Sequence, residues 1–331
     1  ASEDVDALFF DADGDGDMDF YVVSGGNEFP LNDVRLQDRL YINDGTGNFV
    51  RDKKAVPSVY HSGGVVVPFD HDRDGDVDLF VGSYVTPGRY PEMPQSTLLE
   101  NNNGQFTDQS NNWFSENSSI GMVNDAVFTD LNNDGTPELV LSGEWMPITI
   151  LGLENGKWAD QTASYGLDKN IGWWHSVSAM DVNGDGYQDL IAGNLGLNSI
   201  FKASAKEPTT LYYKDFDNNK SIDPILCTYV EGESYPILNR DRLLNHMVFL
   251  KKRFTRYAPY ARAKIEDIFT EAELKDAGYL EANNFEHTVF INNGKGGFET
   301  QSLPFETQWS VLNTAISWDL DGDGTTEVIV G

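Results

Sequence analysis

The stretch that decides the fold is Asp11-Ala12-Asp13-Gly14-Asp15-Gly16-Asp17-Met18-Asp19, a nine-residue loop with aspartate at every odd position. Alternate residues of a tight loop can direct their oxygen atoms at one centre, and Ca²⁺ takes six to eight such hard ligands. Glycine at position 6 of the loop permits the sharp turn. The stretch therefore predicts a calcium site.

The same pattern recurs five times along the chain, so the sequence predicts up to six Ca²⁺ ions, one per loop. We expect side chains at positions 1, 3, 5 and 9 and the backbone carbonyl of position 7 to bind each ion. The candidate positions are Asp11, Asp13, Asp15, Asp17 and Asp19; Asp70, Asp72, Asp74, Asp76 and Asp78; Asp130, Asn132, Asp134, Thr136 and Glu138; Asp181, Asn183, Asp185, Tyr187 and Asp189; Asp215, Asp217, Asn219, Ser221 and Asp223; and Asp319, Asp321, Asp323, Thr325 and Glu327.

The fifth loop departs from the pattern, because Lys220 replaces the glycine at position 6. This substitution places a cation beside the site and a side chain on a strained backbone. EF-hands are excluded for the other loops, since that motif needs a glutamate at position 12 and a following helix. Position 12 is apolar in all five: Val22, Val81, Leu141, Ala192 and Val330.

The loops also mark a repeat. They recur about every 62 residues, each between two short runs rich in Val, Phe, Ala and Leu that predict the strands of a hairpin. A second turn with Asn-Gly chemistry follows 34 residues after Asp11 and again 34 residues after Asp70. In the Asp215 unit the turn lies 34 residues after the first aspartate only when residues 239–283, which have a helical pattern, are left out of the count. Residues 211–213 could close the fourth unit or open the fifth.

Four strands per unit, repeated along the chain, are typical of a β-propeller. We therefore expect an all-β fold in which residues 1–331 form a single propeller domain of four-stranded blades, six to seven in number with seven favoured for the parent protein. We expect residues 239–283 to be a small helical insertion within a blade.

Composition excludes several classes of function. The net charge of −30 disfavours nucleic acid as a partner, and no apolar run is long enough to insert into a membrane. The six loops hold 23 of the 53 acidic residues, and such density needs counter-ions; six divalent cations would bring −30 to −18. Cys227 is the single cysteine, so no disulfide framework or cysteine-based zinc site is expected.

Catalysis finds little support in the sequence. The chain has no Gly-x-Ser-x-Gly elbow, no His-Glu-x-x-His motif and no P-loop, and its five histidines stand singly. We expect no catalytic residues and no organic cofactor.

One basic segment stands out in this acidic chain. Residues 240–264 hold eight Lys or Arg against one acid. This segment is either a docking surface for an anionic or protein partner, or a set of helices that pack on the propeller and neutralise its acids.

The loops, together with residues 39–49, 143–148 and 193–198, resemble the FG-GAP/VCBS repeat family, whose calcium propellers include integrin α-subunit heads. The closest resemblance is to bacterial VCBS proteins of the ASPIC/UnbV-associated type. It implies a secreted, cell-surface or periplasmic propeller that binds or scaffolds a protein or a glycan, although this chain carries no signal sequence. The alternative is a glycan-active propeller enzyme of the polysaccharide lyase or dehydratase type.

Overall fold

Antiparallel hairpins built around the aspartate loops make up most of the fold. The computed structural model describes residues 2–116, 118–322 and 326–331. Its strands are β1 (Glu3–Phe10), β2 (Asp19–Gly25), β3 (Arg39–Asn43), β4 (Phe49–Asp52), β5 (Ser62–Phe69), β6 (Asp78–Val85), β7 (Thr97–Asn102), β8 (Gln105–Asp108), β9 (Met122–Thr129), β10 (Glu138–Met146), β11 (Thr149–Glu154), β12 (Lys157–Asp160), β13 (Gly172–Trp173), β14 (Ser176–Met180), β15 (Asp189–Gly193), β16 (Thr209–Lys214), β17 (Asp223–Val230), β18 (Glu233–Pro236), β19 (Gly278–Ala282), β20 (Thr288–Asn292), β21 (Phe298–Ser302), β22 (Ala315–Trp318) and β23 (Glu327–Val330).

Helices are short and mostly clustered in one segment. The α-helices are α1 (Ser110–Trp113), α2 (Arg240–His246), α3 (Tyr257–Tyr260), α4 (Ile265–Ile268) and α5 (Glu271–Leu274), and 3-10 turns span Val34–Leu36, Val248–Lys252 and Phe305–Trp309. None of the helices among the described residues has the length and apolar character that crossing a membrane requires.

The strands form a row of antiparallel sheets. The first three sheets run β1-β2-β3-β4, β5-β6-β7-β8 and β9-β10-β11-β12, with β13 added beside the end of β10. The fourth runs β14-β15-β20-β21, and β22 pairs with β23. The first strands of successive sheets contact one another, in the order β1, β5, β9, β14, β22. The prediction of an all-β, propeller-like fold with four-stranded blades is therefore confirmed, with four complete blades and the first two strands of a fifth in the described residues.

The insertion differs from the expectation in size and position. Strand β15 pairs with β20, so residues 194–287 lie within the fourth blade. They contain a sheet of their own, ordered β18-β17-β16-β19. The Asp215 loop joins β16 to β17 of this inserted sheet and does not open a blade of the row. Residues 211–213 accordingly belong to the inserted sheet, and the turn at Gly294 closes the unit that begins at Asp181.

The inserted sheet lies between the blades and the helices. Ile225 and Cys227 on one face pack with helical residues such as Leu243. Leu211, on the opposite face, packs with Met122 of the third blade. The hypothesis that the helices pack on the propeller is therefore wrong, because the alternating apolar residues of β16 and β17 supply an intervening layer.

The basic segment neutralises acids of the insertion and not those of the blades. Arg240, Arg253 and Lys264 form ion pairs with Asp241, Glu273 and Glu233, respectively. The remaining five cations are exposed and form no ion pair with any residue that the structure describes: Arg242, Lys251, Lys252, Arg256 and Arg262. The docking hypothesis for this segment stays a prediction.

Two pairs of neighbouring blades are joined by a half-buried carboxylate. Asp6 on β1 accepts a hydrogen bond from the Val66 N–H of the second blade at 2.8 Å. Asp125 on β9 accepts one from the Val177 N–H of the fourth blade at 2.9 Å. Each aspartate lies beside a bulge in its strand, which turns the side chain towards the next blade.

Aromatic rings join the second blade to the third. Phe69 and Phe128 stack with ring centroids 4.9 Å apart, and His71 stacks on Trp113 at 4.0 Å. Such contacts add to the apolar area that the two blades bury. Aromatic contacts also reach across the first junction, where Phe10 and Tyr21 meet Phe106 with ring centroids 6.2 Å apart.

We expect Asp125→Ala to lower the free energy of unfolding by about 1–3 kcal/mol, because it leaves the buried Val177 N–H without a partner. Burial raises the pKa of Asp125 to about 6. The native state then holds this proton more tightly than the unfolded chain does, and the contribution of the group to stability falls as the pH rises from about 4 to about 6. Urea unfolding should show a larger loss at pH 5 than at pH 8. Asp168→Ala, at an exposed position, is the control; an equal loss in both variants would contradict the junction.

Candidate metal centres

Each aspartate loop is closed by its own backbone. In the first loop, the two oxygens of Asp11 accept hydrogen bonds from the N–H groups of Gly14 (2.8 Å) and Gly16 (3.0 Å). The equivalent donors are Arg73 and Gly75 in the second loop and Gly184 and Gly186 in the fourth. The carboxylate at position 1 therefore sets the curvature of the loop.

Positions 3 and 5 continue this arrangement. The side chain at position 3 accepts a hydrogen bond from the N–H of position 5, as Asp72 does from Asp74 at 3.2 Å. The side chain at position 5 accepts one from position 7, as Asp74 does from Asp76 at 2.9 Å. Because each bond occupies only part of the acceptor capacity of a side chain, the remaining lone pairs are available to a cation.

Four groups of three carboxylates each bring one oxygen per residue within 4.8 Å of one another in the described part of the chain. They are Asp11, Asp13 and Asp15; Asp70, Asp72 and Asp78; Asp215, Asp217 and Asp223; and Asp319, Asp321 and Glu327. This spacing matches oxygens that share one ion with bonds of 2.3–2.6 Å. These carboxylate groups therefore fit Ca²⁺.

The third and fourth loops have asparagine at position 3. Its amide oxygen makes the bond that aspartate makes elsewhere, as Asn132 does with the Asp134 N–H at 2.8 Å and Asn183 with the Asp185 N–H at 2.9 Å. An amide oxygen is also an ordinary calcium ligand. These two loops offer the same geometry with one negative charge fewer.

Position 9 has a structural role that the sequence did not reveal. One oxygen of Asp19 accepts a hydrogen bond from Ala12 N–H at 2.9 Å, and the other accepts one from Asn43 N–H on β3 at 2.8 Å. The carboxylate is fully buried. It therefore ties the loop to the third strand of its blade, whether or not it also binds an ion.

We call this pair of hydrogen bonds to position 9 the brace. The brace recurs in the second and fourth blades. Asp78 holds His71 and Asn101, and Asp189 holds Val182 and Asn292, all through backbone N–H groups at 2.7–2.9 Å. The asparagine at the start of each Asn-rich turn stands at the same place in all three blades, and this recurrence could have indicated the contact with position 9. From the sequence alone, it was interpreted only as a turn residue.

The backbone needs two left-handed residues per loop, and the sequence suggested only one. Position 6 has a positive φ, 97° at Gly75 and 74° at Lys220, as expected. Position 4 does too, at Arg73 (63°) and Asn218 (59°). Lys220 therefore carries a side chain on a conformation that favours glycine, as the sequence predicted.

Burial and crowding raise the pKa of several loop carboxylates, whereas backbone hydrogen bonds, first from Gly186, lower the pKa of Asp181. The pKa of Asp13 is raised by burial, by the charge of Asp15 and by that of Asp19. Burial raises the pKa of Asp78 to about 6. Carboxylates whose ionised form is disfavoured in this way gain most from a bound cation.

Two predicted positions, Asp323 and Thr325, lie outside the described residues. For position 7, the backbone carbonyl as a ligand stays a prediction in every loop. In the second loop, the position 7 side chain accepts a hydrogen bond from the turn, from Asn103 N–H to Asp76 at 3.0 Å.

Residues 11–81 and 130–192 match the family described as FG-GAP-like repeat. These stretches contain the first four aspartate loops. The chain therefore contains FG-GAP-like repeats. The resemblance to this family is thereby confirmed, and the closer likeness to the ASPIC/UnbV-associated type stays a prediction. The repeats and the propeller-like fold fit a binding or adhesion module.

Two further likenesses are distant. A glucose-1-phosphate adenylyltransferase of Mycolicibacterium paratuberculosis is 24% identical over 183 residues, which cover 54% of this chain and 41% of the relative. The chain thus spans less than half of that curated relative. The crystal structure of the V. cholerae biofilm matrix protein Bap1 matches with a TM-score of 0.33 and 16% identity, over 69% of this chain and 35% of that one. Neither likeness is strong enough to carry a function to this chain.

We expect Lys220→Gly to stabilise the protein by about 1 kcal/mol, because glycine adopts the positive φ without a steric cost. The change also removes a cation beside the fifth loop, so calcium should bind there more tightly. The matched reverse change is Gly75→Lys, at a φ of 97°, which should destabilise by a similar amount. Thermal melts with and without calcium measure both effects; a lower melting temperature for Lys220→Gly would contradict the strained backbone.

Proposed function

We propose that this protein is a calcium-stabilised, non-catalytic binding or adhesion module that works outside the cell. The observation that carries the proposal is the repeated loop geometry, in which three carboxylates gather within 4.8 Å of one another in four separate groups. A blade-to-blade array held in this way presents a rigid surface of loops, which is the usual place for binding residues.

The charge of the chain supports a bound cation. Each loop gathers three or more like charges while the whole chain stands at −30. Such self-repulsion destabilises a compact state unless counter-ions sit within it. Oxygen ligands at several exposed positions favour Ca²⁺ over Mg²⁺, which demands stricter octahedral geometry.

The loops also support an extracellular site of action. Their carboxylates at positions 3 and 5 are largely exposed, as in Asp72 and Asp74. Calcium sites of extracellular modules bind with dissociation constants of about 10⁻⁴–10⁻³ M, which suits short, partly exposed loops of this kind.

Two of the five histidines support a non-catalytic role, because their rings serve hydrogen bonding and packing. His287 accepts a hydrogen bond at Nδ1 from Asn194 N–H (2.8 Å), and its Nε2 lies 2.7 Å from the Ser310 carbonyl. Burial lowers its pKa, which keeps the ring neutral between these two partners. His71 stacks on Trp113 between blades.

Asp13→Asn tests the calcium site, because its effect on stability relative to the native protein should change sign when the ion is bound. Its amide oxygen can keep the hydrogen bond from Asp15 N–H while one repelling charge is lost. In excess chelator the variant should be more stable than the native protein, by about 0.5 kcal/mol. In saturating calcium the variant should gain less stability from the ion than the native protein does. An ion at 100 times its dissociation constant contributes about 2.7 kcal/mol per site.

Calorimetric melts at matched ionic strength measure both conditions. Asp168→Asn, which removes an exposed charge outside the loops, is the control and should respond equally with and without calcium. If the melting temperature of the native protein is the same in chelator and in calcium, the calcium proposal is wrong. Turnover of acidic or neutral polysaccharides, detected as unsaturated products, would overturn the non-catalytic role.

A further inference from the structure

A cavity of about 320 Å³ lies beside the outer strands of the third blade. Its walls come from the end of β10, from β11 and β12, and from the segment that follows α1. This volume lies at the lower end of the range for small-molecule sites, about 300–1,000 Å³. We call it the third-blade cavity.

Large apolar side chains form part of the lining of the third-blade cavity. Phe114, Trp145, Met146 and Trp158 all line it, and each of them is at most 5% exposed. Most of their surface is packed against the protein, and the remainder faces the cavity. Because apolar surface is stabilised when it leaves water, these side chains favour an apolar or aromatic group of a ligand.

Trp145 is held in this lining by an unusual backbone and by a hydrogen bond. Its φ is 59°, in the left-handed region that a bulky side chain rarely adopts, and the pairing of β10 shifts register at the same place. Its Nε1–H donates to the hydroxyl of Tyr90 at 2.8 Å. Backbone strain of this kind is concentrated at ligand sites and other functional positions.

Two carboxylates complete the lining. Glu116 and Asp160 line the cavity and are exposed, so they form its rim while the buried apolar side chains form its floor. Of the described residues that line the cavity, none is Lys, Arg or His. Neither carboxylate forms an ion pair within the part of the chain that the structure describes. The rim therefore carries two negative charges that no neighbouring cation balances.

The backbone brings the two acidic residues to neighbouring segments. Phe114 and Trp158 form a parallel β-bridge, and the Ser115 N–H donates to the Trp158 carbonyl at 2.9 Å. Because the two segments run in the same direction, Glu116 and Asp160 each follow the bridge by two residues. Like charges on neighbouring segments repel one another. A cation bound at the rim would relieve this repulsion.

We propose that the third-blade cavity binds a small amphipathic amine, whose apolar body lies on the floor and whose ammonium group pairs with Glu116 and Asp160. Two carboxylates are too few for Ca²⁺, which takes six to eight oxygen ligands. The net charge of −30 attracts cations to the whole surface, and the apolar floor is what selects an amphipathic one. This inference deepens the proposed binding role and rests on it, because it assigns a ligand class to the module.

Phenethylammonium is the probe, and phenylethanol, which has the same body without the charge, is its matched control. The indole N–H resonances of Trp145 and Trp158, assigned with Trp145→Phe and Trp158→Phe, report on the cavity itself in NMR titrations. Saturating calcium and about 0.15 M salt, where the Debye length is about 8 Å, suppress general attraction to the acidic surface. We expect both resonances to shift saturably. The amine should bind roughly tenfold more tightly than the alcohol, as expected for two exposed ion pairs.

Glu116→Gln and Asp160→Asn should each weaken the binding of phenethylammonium roughly threefold and leave that of phenylethanol unchanged. The asparagine can keep the hydrogen bond that Asp160 accepts from the Thr162 N–H at 2.8 Å, so the local fold is retained. Asp168→Asn removes the same charge at an exposed position outside the cavity and should bind the amine as the native protein does. The absence of a shift at both indoles, equal affinities for amine and alcohol, or unchanged affinity in both rim variants would each overturn the proposal.

Melts of the same samples separate this proposal from the one on which it rests. If calcium raises the melting temperature while the amine does not bind, the cavity proposal fails and the calcium-stabilised module stands. If the amine binds while calcium leaves the melting temperature unchanged, the cavity proposal stands and the calcium sites fail.

Discussion

The buried carboxylate at position 9 of the first four loops is the contact on which the blade architecture depends. In the first blade, Asp19 receives one N–H from its own loop and another from Asn43 on the third strand. A single side chain thus connects the hairpin of β1 and β2 to β3. Because both donors are backbone groups, the brace tolerates wide variation in the residues around it. In the third blade, Glu138 keeps the bond from its own loop, Leu131 N–H, while its other oxygen accepts a hydrogen bond from the Asn132 side chain. The loop half of the brace is therefore common to the first four loops, and the bond to the third strand is found in the first, second and fourth blades.

This brace extends to neighbouring blades at two of the junctions. Asn101 donates from its side chain to the Ala12 carbonyl in the preceding blade, and Asn292 donates likewise to the Leu131 carbonyl. Asp6 and Asp125 hold the same two pairs of blades at their other ends. The first blade is thus joined to the second, and the third to the fourth, by polar contacts at both ends. The aromatic stack of Phe69 on Phe128 serves the junction between these pairs.

Local features of the fold could be read from the sequence, and distant pairings could not. The loops, their flanking strands and the strained Lys220 all follow from residues within about a dozen positions of one another. The pairing of β15 with β20 spans residues 194–287, and no local pattern records it. Removal of residues 239–283 restored the 34-residue spacing by coincidence and concealed the inserted sheet. For the candidate sites, the acidic ligand sets were predictable, whereas the burial of Asp19 depends on its contact with Asn43 of the third strand.

The braces and the predicted ions meet at position 9 of a loop. In the second, fifth and sixth loops the carboxylate of position 9 gathers with those of positions 1 and 3, whereas in the first loop positions 1, 3 and 5 gather. In the second loop the backbone N–H groups of His71 and Asn101 already bond both oxygens of Asp78, so the sheet can form without a cation. The repulsion within each group is what a cation would relieve. A calcium ion bound as we propose would therefore order the loop and, through the Asn101 and Asn292 contacts, fix the register of neighbouring blades.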